Sequence, residues 1–362
     1  MSAQKQPVVA SLTDSIFGPS SSPIINHLFA KPSSTPPSQL PALPYKRRRR
    51  TNTNKEPLHN SNSKKSIKQQ IESRDEVLCR RLRQSQNKVL DQCTISIKDY
   101  TGLIHGEMEE LYADVRGLMK HHGLVIIRNA LSDTEVSDVL LLANAHKKRI
   151  CDALDAKKVP YNSDINDRET FCFQEVAIRC RGRMDVRYYD NEDDDCKLPK
   201  LKQIDNLAAS ILHGAEAPHL VYAGWIFSLP DSADQPWHQD GSPLFDKGTE
   251  LLPSYAINMF VGLHDEKLLE LGPTEFIMGS HCLEPNAAMN KVESAISAVL
   301  GRGDILLYDY RICHRGTSNL CQPKEDDKDT SPDGIRKVLY RKYARPWFRE
   351  HLNFGEMSLF TS

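Results

Sequence analysis

From His219 onward the chain alternates short apolar runs with Gly, Pro and Asp: HLVYAGWIFSLP, YAINMFVGLH, TEFIMGS, GDILLYDYRICHRG and RKVLYRKYARPWF. Runs of this length, rich in β-branched and aromatic residues and bounded by turn formers, predict strands, and many in succession predict a sandwich or barrel. Upstream, GLVIIRNAL (123–131) predicts one more strand. The segment after it opens on Ser132-x-x-Glu135, a capping box that predicts the start of a helix over SDTEVSDVLLLANAHKKRICDAL. Leu201, Ile204, Leu207 and Ile211 fall on a second helical stripe. Between 66 and 92, Ile67, Ile71, Leu78, Leu82 and Val89 share one stripe with no Gly or Pro to interrupt it. That segment predicts a helix whose apolar side docks on the protein's own core. No βαβ alternation and no internal repeat is visible.

The pattern fails before residue 66. Residues 1–65 are rich in Ser, Pro, Asn and Thr, as in KPSSTPPSQLPALP, and bury too little apolar surface to offset the entropy of ordering. The chain thus divides into a disordered tail (1–65), an amphipathic helix (66–94) and a folded domain (95–362) whose barrel spans about 219–348. Overall charge is nearly balanced, 47 Lys and Arg against 48 Asp and Glu. The tail is nonetheless basic, and Lys46–Arg50 forms an unbroken cationic run. Such a run suits an import receptor or a nucleic acid, and it suits a simple solvated tail equally well. The acidic DNEDDD stretch at 190–195 reads as a solvated loop rather than a cation site.

Nine cysteines without a C-x-x-C pair, in a chain this long, predict free thiols in a reducing compartment. No apolar run is long enough to span a bilayer, no signal-peptide pattern opens the chain, and its Phe-Thr-Ser end is no peroxisomal address. The expectation is an intracellular protein, cytoplasmic or nuclear.

Chemistry concentrates in PWHQDGSPLF (236–245). On a strand, residues i and i+2 share a face, so His238 and Asp240 converge on one point. Two imidazoles and one carboxylate on one side of an iron leave its other positions open. A second histidine is therefore needed from another strand. His314, at the end of GDILLYDYRICHRG, is the strongest candidate; His264 in GLHDE and His281 in MGSHCLEP are weaker ones.

Four segments in order, WHQDG, LGPTEFIMGSH, GDILLYDYRICHRGTSN and IRKVLYRKYARPWF, resemble the phytanoyl-CoA dioxygenase family of Fe(II)- and 2-oxoglutarate-dependent oxygenases. GLVIIRNALSDTEV resembles the opening of that family's catalytic domain, and the likeness covers roughly 95 to 350. It implies a double-stranded β-helix, the cupin-like jelly roll, with flanking helices. It also implies His238, Asp240 and His314 as iron ligands, with 2-oxoglutarate and O₂ as co-substrates. Arg336 matches the arginine that binds the distal carboxylate of 2-oxoglutarate, a task for a planar bidentate donor; Arg341 and Arg345 are second choices. The gap from His314 to Arg336 exceeds the family's usual spacing by CQPKEDDKDTSPDG, a polar, turn-rich insertion. Asn258, Thr274 and Ser318 are expected near 2-oxoglutarate by motif position.

The resemblance implies oxidation, with hydroxylation as the expected form, of a small organic molecule with release of succinate and CO₂. The carboxylate at Asp240 departs from the halogenating relatives, where a small residue stands. RCRGRMDVRYY (179–189) offers Arg183 and Arg187 to an acidic substrate, and Trp237 offers a wall, although surface charge and a buried strand-end ring explain these residues as well. Two further readings stand beside this one. One is a metalloenzyme independent of 2-oxoglutarate; the other is a non-catalytic jelly roll working through its basic tail. Substrate identity and oligomeric state are not written in the sequence.

Overall fold

The computed structural model describes residues 72–97, 105–161, 171–188, 201–212, 216–241, 244–245, 248, 252–264, 269–322, 333–350 and 354–361. The tail with Lys46–Arg50, the acidic 190–195 stretch and most of the insertion after Cys321 lie outside them.

In chain order the described elements are α1 (Arg74–Ser85), α2 (Lys88–Gln92), β1 (Thr94–Ser96), α3 (His105–His122), β2 (Leu124–Arg128), α4 (Asp133–Ala156), β3 (Phe171–Cys172), β4 (Val176–Cys180), β5 (Arg183–Arg187) and α5 (Lys202–Ile211). They continue with β6 (His219–Ser228), β7 (Ala256–Gly262), β8 (Thr274–Phe276), α6 (Pro285–Met289), β9 (Ile296–Ala298), β10 (Ile305–Asp309), β11 (His314–Gly316) and β12 (Arg336–Ala344). Among them, nine strands form a major sheet in the order β1-β2-β10-β7-β12-β6-β5-β4-β3, and three form a minor sheet in the order β11-β8-β9. Every pairing is antiparallel except β1 with β2. This mixed sheet facing a small second sheet, with helices on its outer side, is the jelly-roll core.

Period-two alternation divides the major sheet between two cores. Val125, Ile127, Ile257, Met259, Val261, Ile305, Leu307 and Leu339 point to the outer face, where α3, α4 and α5 bring Leu111, Val115, Met119, Val136, Val139, Ile204 and Leu207. Their neighbours Leu124, Ile126, Phe260, Leu306, Tyr308, Val338 and Tyr340 face inward and meet Phe276, Ile296 and Ala298 of the minor sheet. Both faces are covered, which is why these strands read as continuous apolar runs rather than as alternating ones.

The capping box at Ser132 is formed: its side chain accepts from the Glu135 amide while Glu135 reaches back to the Ser132 amide. The N-terminal helical segment differs from the expected single helix. It is two helices broken at Gln86 and Asn87, because Asn87 caps the second through a bond from the Val89 amide. The docked face is also different. Leu82 is exposed, whereas Arg81 is fully buried, and Ile67 and Ile71 lie outside the described residues. No helix among the described residues is long and apolar enough to cross a membrane.

Candidate active site

The inner face of the major sheet is organised in rows that cross the strands. Arg183, Ser228 and Arg336 are register partners on β5, β6 and β12; six residues further along β12, Lys342 is the partner of Asn258 on β7, which in turn pairs with Tyr308 on β10. Directly opposed residues share a face, so each row presents its side chains to the same space. The space is a cavity of about 170 Å³ lined by Arg336, Thr274, His238, Asp240, His314 and Lys342 among others.

The loop carrying His238 meets β11 in a single antiparallel bridge. His238 and His314 exchange both backbone hydrogen bonds, at 3.0 and 2.9 Å, and their rings lie 4.5 Å apart. Gln239 points the other way and donates to the carbonyl of Arg311 at 2.5 Å, which pins the loop. The turn before His314 is fixed by the buried pair of Asp309 and Arg311, and Asp309 also receives a bond from Ser254. These ties bring donor atoms of His238, Asp240 and His314 within 4.8 Å of one another, a grouping that can hold a metal ion.

Orientation within the group is set by second partners. Nδ1 of His238 lies 2.8 Å from the carbonyl of Pro236, and Nδ1 of His314 lies 3.0 Å from that of Ile312. A carbonyl can only accept, so each Nδ1 carries the proton and each Nε2 offers its lone pair. Phe276 stacks on the His314 ring at 5.6 Å and Tyr308 meets it at 5.1 Å, locking its rotation. Asn258 donates its side-chain amide to Asp240.

Electrostatics keep the group in its ligating form. Burial, the neighbouring His238 and Lys342 push His314 down to about 4 against the pull of Asp240, so its imidazole is neutral at pH 7. For Asp240, burial alone would raise the carboxyl. The charge of Lys342, the two histidines and the Asn258 bond outweigh it and hold the carboxyl below its ordinary value. Lys342 is itself buried, paired with Glu350 and 4.8 Å from the centre of the Tyr310 ring.

At the arginine row, Nη2 of Arg336 is 3.4 Å from the hydroxyl of Thr274, and both residues are buried in the cavity wall. Arg183 lines the same wall but is tied into the protein: it donates to Ser228 at 2.7 Å and to the carbonyl of Thr317 at 2.7 Å. Burial and the nearby Arg336 lower its pKa.

Asn258, Thr274, Arg183 and Arg336 therefore stand in one cavity with the His-Asp-His group. Three expected residues do not. The hydroxyl of Ser318 receives a bond from Arg81 at 3.0 Å, on the outer side of the minor sheet, because the chain beyond β11 turns it away from the cavity. Arg187 lies two residues beyond Asp185 on β5 and stacks over Tyr222 at 4.5 Å. Trp237 precedes His238 and so faces away from it, packing with Ile277, Ala288 and Cys313 under the guanidinium of Arg315. The second-choice arginines also lie elsewhere: Arg341 pairs with Asp205 at 3.1 Å and Arg345 reaches the carbonyl of Ser254 at 3.4 Å. His281 is turned to the carbonyl of Lys120, and His264 is not among the lining residues.

Sequence reasoning passed over Lys342, Asp185, Gln235, Tyr308 and Tyr340, all of which line the cavity. Three of these carried a signal. Tyr340 and Lys342 follow Arg336 by even numbers of positions on one strand, and Asp185 follows Arg183 by two.

Comparison with known proteins adds to this geometry. Among solved structures, AviO1 from Streptomyces viridochromogenes Tue57 is similar at 19% identity and a TM-score of 0.43, over 66% of this chain and 97% of that one. The non-heme alpha ketoglutarate dependent carbocyclase SnoK from nogalamycin biosynthesis is similar at 16% and 0.42, over 66% and 85%. The epimerase SnoN from the same biosynthesis is similar at 17% and 0.42, over 65% and 83%. The model of the phytanoyl-CoA dioxygenase (PhyH) family matches residues 119–322, more than half of the chain. That span takes in His238, Asp240 and His314 but stops before β12 and Arg336, and it begins after α1. With the family's own model covering most of the strands that build the cavity, the chain belongs to the phytanoyl-CoA dioxygenase family.

Proposed function

We propose that this protein is an Fe(II)- and 2-oxoglutarate-dependent dioxygenase that oxidises a small organic substrate, with hydroxylation as the expected outcome. The observation that carries the reading is the shared orientation of His238 and His314. Each gives its Nδ1 proton to a backbone carbonyl, which leaves Nε2 as the ligating atom, and Nε2 of His314 stands 3.6 Å from the carboxylate of Asp240. Core histidines with purely structural roles have no need for two matched tautomers converging on a carboxylate.

The donor set fits the metal. Two imidazoles and one carboxylate, with nothing else of the described chain among the grouped ligands, match the donor preference of non-heme Fe(II) and leave room for exogenous ligands. The far wall fits the co-substrate. A dicarboxylate held at one end by a metal needs a buried cation at the other, and Arg336 beside Thr274 supplies a planar fork there. When bound, the iron and 2-oxoglutarate together supply the oxidising power, with O₂ consumed and succinate and CO₂ released.

The chain's own residues position and protect. Asn258 aims Asp240, Phe276 and Tyr308 hold the His314 ring, and Arg183 braces the end of β11 against β6. Ile226, Phe260 and Tyr340 keep the cavity wall apolar between its two charged ends and so limit water. Asp185 and Lys342, the latter paired with Glu350, add charge to the cavity wall, which favours a small polar molecule. The division into a tail, a preceding helix and an oxygenase domain belongs to the same proposal.

The test is anaerobic. Fe(II) and then 2-oxoglutarate are added to the protein while the visible charge-transfer band of the chelate is sought, with Asp240→Ala and Arg336→Ala alongside. A band that weakens in both variants supports the reading. Full iron loading of folded protein with no band on adding 2-oxoglutarate sinks it, and would favour a metalloenzyme that does not use the 2-oxo acid.

A further inference from the structure

The minor sheet has an inner and an outer row. His314, Phe276 and Ile296 face the cavity side, while their alternating neighbours Arg315, Glu275 and Ser297 face outward. The outer row is covered by α1, a helix that precedes the segment matched by the family model. Glu275 is fully buried there and shared by two cations, Arg80 of α1 at 2.5 Å and Arg315 of β11 at 2.8 Å. Gln84 of the same helix accepts from Ser297 at 3.1 Å.

Arg81 is the unusual residue of this contact. It is fully buried, although a helix that docks by an apolar stripe has no use for a guanidinium on its inner side. Burial lowers its pKa to about 10, so it remains charged at neutral pH. Its fork is spent on two loops. Nη1 donates to the carbonyl of Leu269 at 2.8 Å, and Nη2 donates to the carbonyl and the hydroxyl of Ser318 at 2.8 and 3.0 Å. Ser318 lies four residues after His314, and Leu269 lies in the turn that leads into β8.

The residues between His314 and Asn319 are held at nearly every position. The amide of Gly316 is bound by Gln235 at 2.9 Å, and the carbonyl of Thr317 by Arg183 at 2.7 Å. The amide of Ser318 is bound by Asp234 at 2.6 Å, and the side chain of Asn319 holds the carbonyls of Ser228 and Gly334. All of these ties come from the barrel itself. Arg81 alone among the named ties to this segment's backbone comes from outside the segment that defines the family.

We propose that Arg81 of α1 is a positioning residue for the metal site, clamping the loop after β11 so that His314 keeps its place opposite His238. This rests on the reading of His314 as a metal ligand. Removing a partner that orients a ligand's support typically lowers metal affinity by about 10- to 100-fold. The effect here passes through one more link, so the lower end is expected.

Full-length Arg81→Met, Arg81→Lys and wild type are compared, with Arg74→Met as the control. Arg74 lies on the same helix but makes only a half-exposed pair with Glu270. Two readouts are taken well below the melting temperature: hydrogen exchange of the 314–319 amides, and Co(II) affinity from its visible absorption. Arg81→Met is expected to speed exchange at 314–319 above the wild-type rate and to weaken Co(II) binding by about 10-fold. Arg81→Lys, which keeps the charge but loses the fork, should fall between, and Arg74→Met should match wild type. If Arg81→Met does not fold, the Arg81→Lys comparison decides. Wild-type exchange at 314–319 with unchanged Co(II) affinity, while only the melting temperature falls, would overturn the proposal and leave Arg81 as a general stabiliser. Absence of Co(II) binding by wild type, equal to that of His238→Ala, would instead overturn the metal-site reading, and the exchange comparison would still judge the clamp.

Discussion

Asn258 on β7 donates its side-chain amide to the carboxylate of Asp240, which stands on a loop that belongs to neither sheet. The rigid strand thereby lends its position to a residue that the loop alone would leave free to rotate. Asn258→Ala is expected to lower metal affinity about 10-fold, in line with the loss of an orienting partner. Asn258→Asp should do worse, because a second carboxylate would face the first. Co(II) or Fe(II) titration under anaerobic conditions measures both, and wild-type affinity in Asn258→Ala would remove the amide from the site's design.

Arg336 gives a separate prediction about the other end of the cavity. Hydrogen bonds to charged groups contribute about 1.5–3 kcal/mol each, so losing a bidentate partner should weaken 2-oxoglutarate binding by about 100-fold or more. Arg336→Lys keeps a charge without the planar fork and should recover only part of that loss. Metal affinity should stay at the wild-type level in both, since the triad is untouched. Isothermal titration of 2-oxoglutarate into the metal-loaded protein separates the two quantities. Equal loss of both would mean that Arg336 supports the fold rather than the co-substrate.

Part of this site was legible, although not for the reason expected. Strand alternation paired His238 with Asp240, whereas both stand on a loop with a single bridge at His238. It is the order of the later motifs that named His314 and Arg336. What alternation cannot give is the partner across a sheet. That Asn258 meets Asp240, or that Lys342 stands beside them, depends on the register of β7 with β12, a long-range property. Ser318 shows the opposite failure. Motif position drew it toward the cavity, but β11 ends at Gly316 and the chain beyond it turns outward to Arg81. The helix α3 and the β4–β5 hairpin went unread for another reason. α3 mixes charged residues through its apolar stripe, and RCRGRMDVR drew notice for its arginines when its Gly182, at φ 68°, marks a turn between two strands. Helix α1 was read by its leucines, whereas the contact is made by Arg80 and Arg81, which a hydrophobic pattern scores as surface.

His264 makes stability depend on pH. Its Nε2 is buried without a hydrogen-bond partner among the described residues, and burial together with the nearby Lys337 pushes its pKa down to about 4 from 6.5. In the unfolded chain the imidazole takes up a proton near its ordinary pKa, so between these values the unfolded state binds more protons than the folded one. Stability is then full above about pH 6.5 and falls as pH drops toward 4. Urea unfolding at about pH 7 and about pH 5 should show this loss in wild type and a smaller loss in His264→Leu. Equal pH dependence in the two proteins would show that other groups carry it.

Two glycines test how tightly the cavity wall is packed. A Cβ on Gly316 of β11 would lie 2.6 Å from Oε1 of Gln235 and 2.7 Å from Nη1 of Arg183. Neither neighbour can retreat freely, because Gln235 binds the Gly316 amide and Arg183 is fastened to Ser228 and Thr317. Gly316→Ala should therefore destabilise by about 1–3 kcal/mol, the usual cost of overpacking, and should disturb the wall beside His314. Gly117 sits on an exposed turn of α3 with nothing within 4 Å of where a Cβ would stand. There the same change relieves glycine's poor helix propensity and should stabilise by about 0.5–1 kcal/mol. Chemical denaturation of the two variants reads opposite signs if the wall is as close as these distances require. A neutral Gly316→Ala would mean that the strut formed by Arg183 gives way, and with it the fixed support that the end of β11 receives from β6.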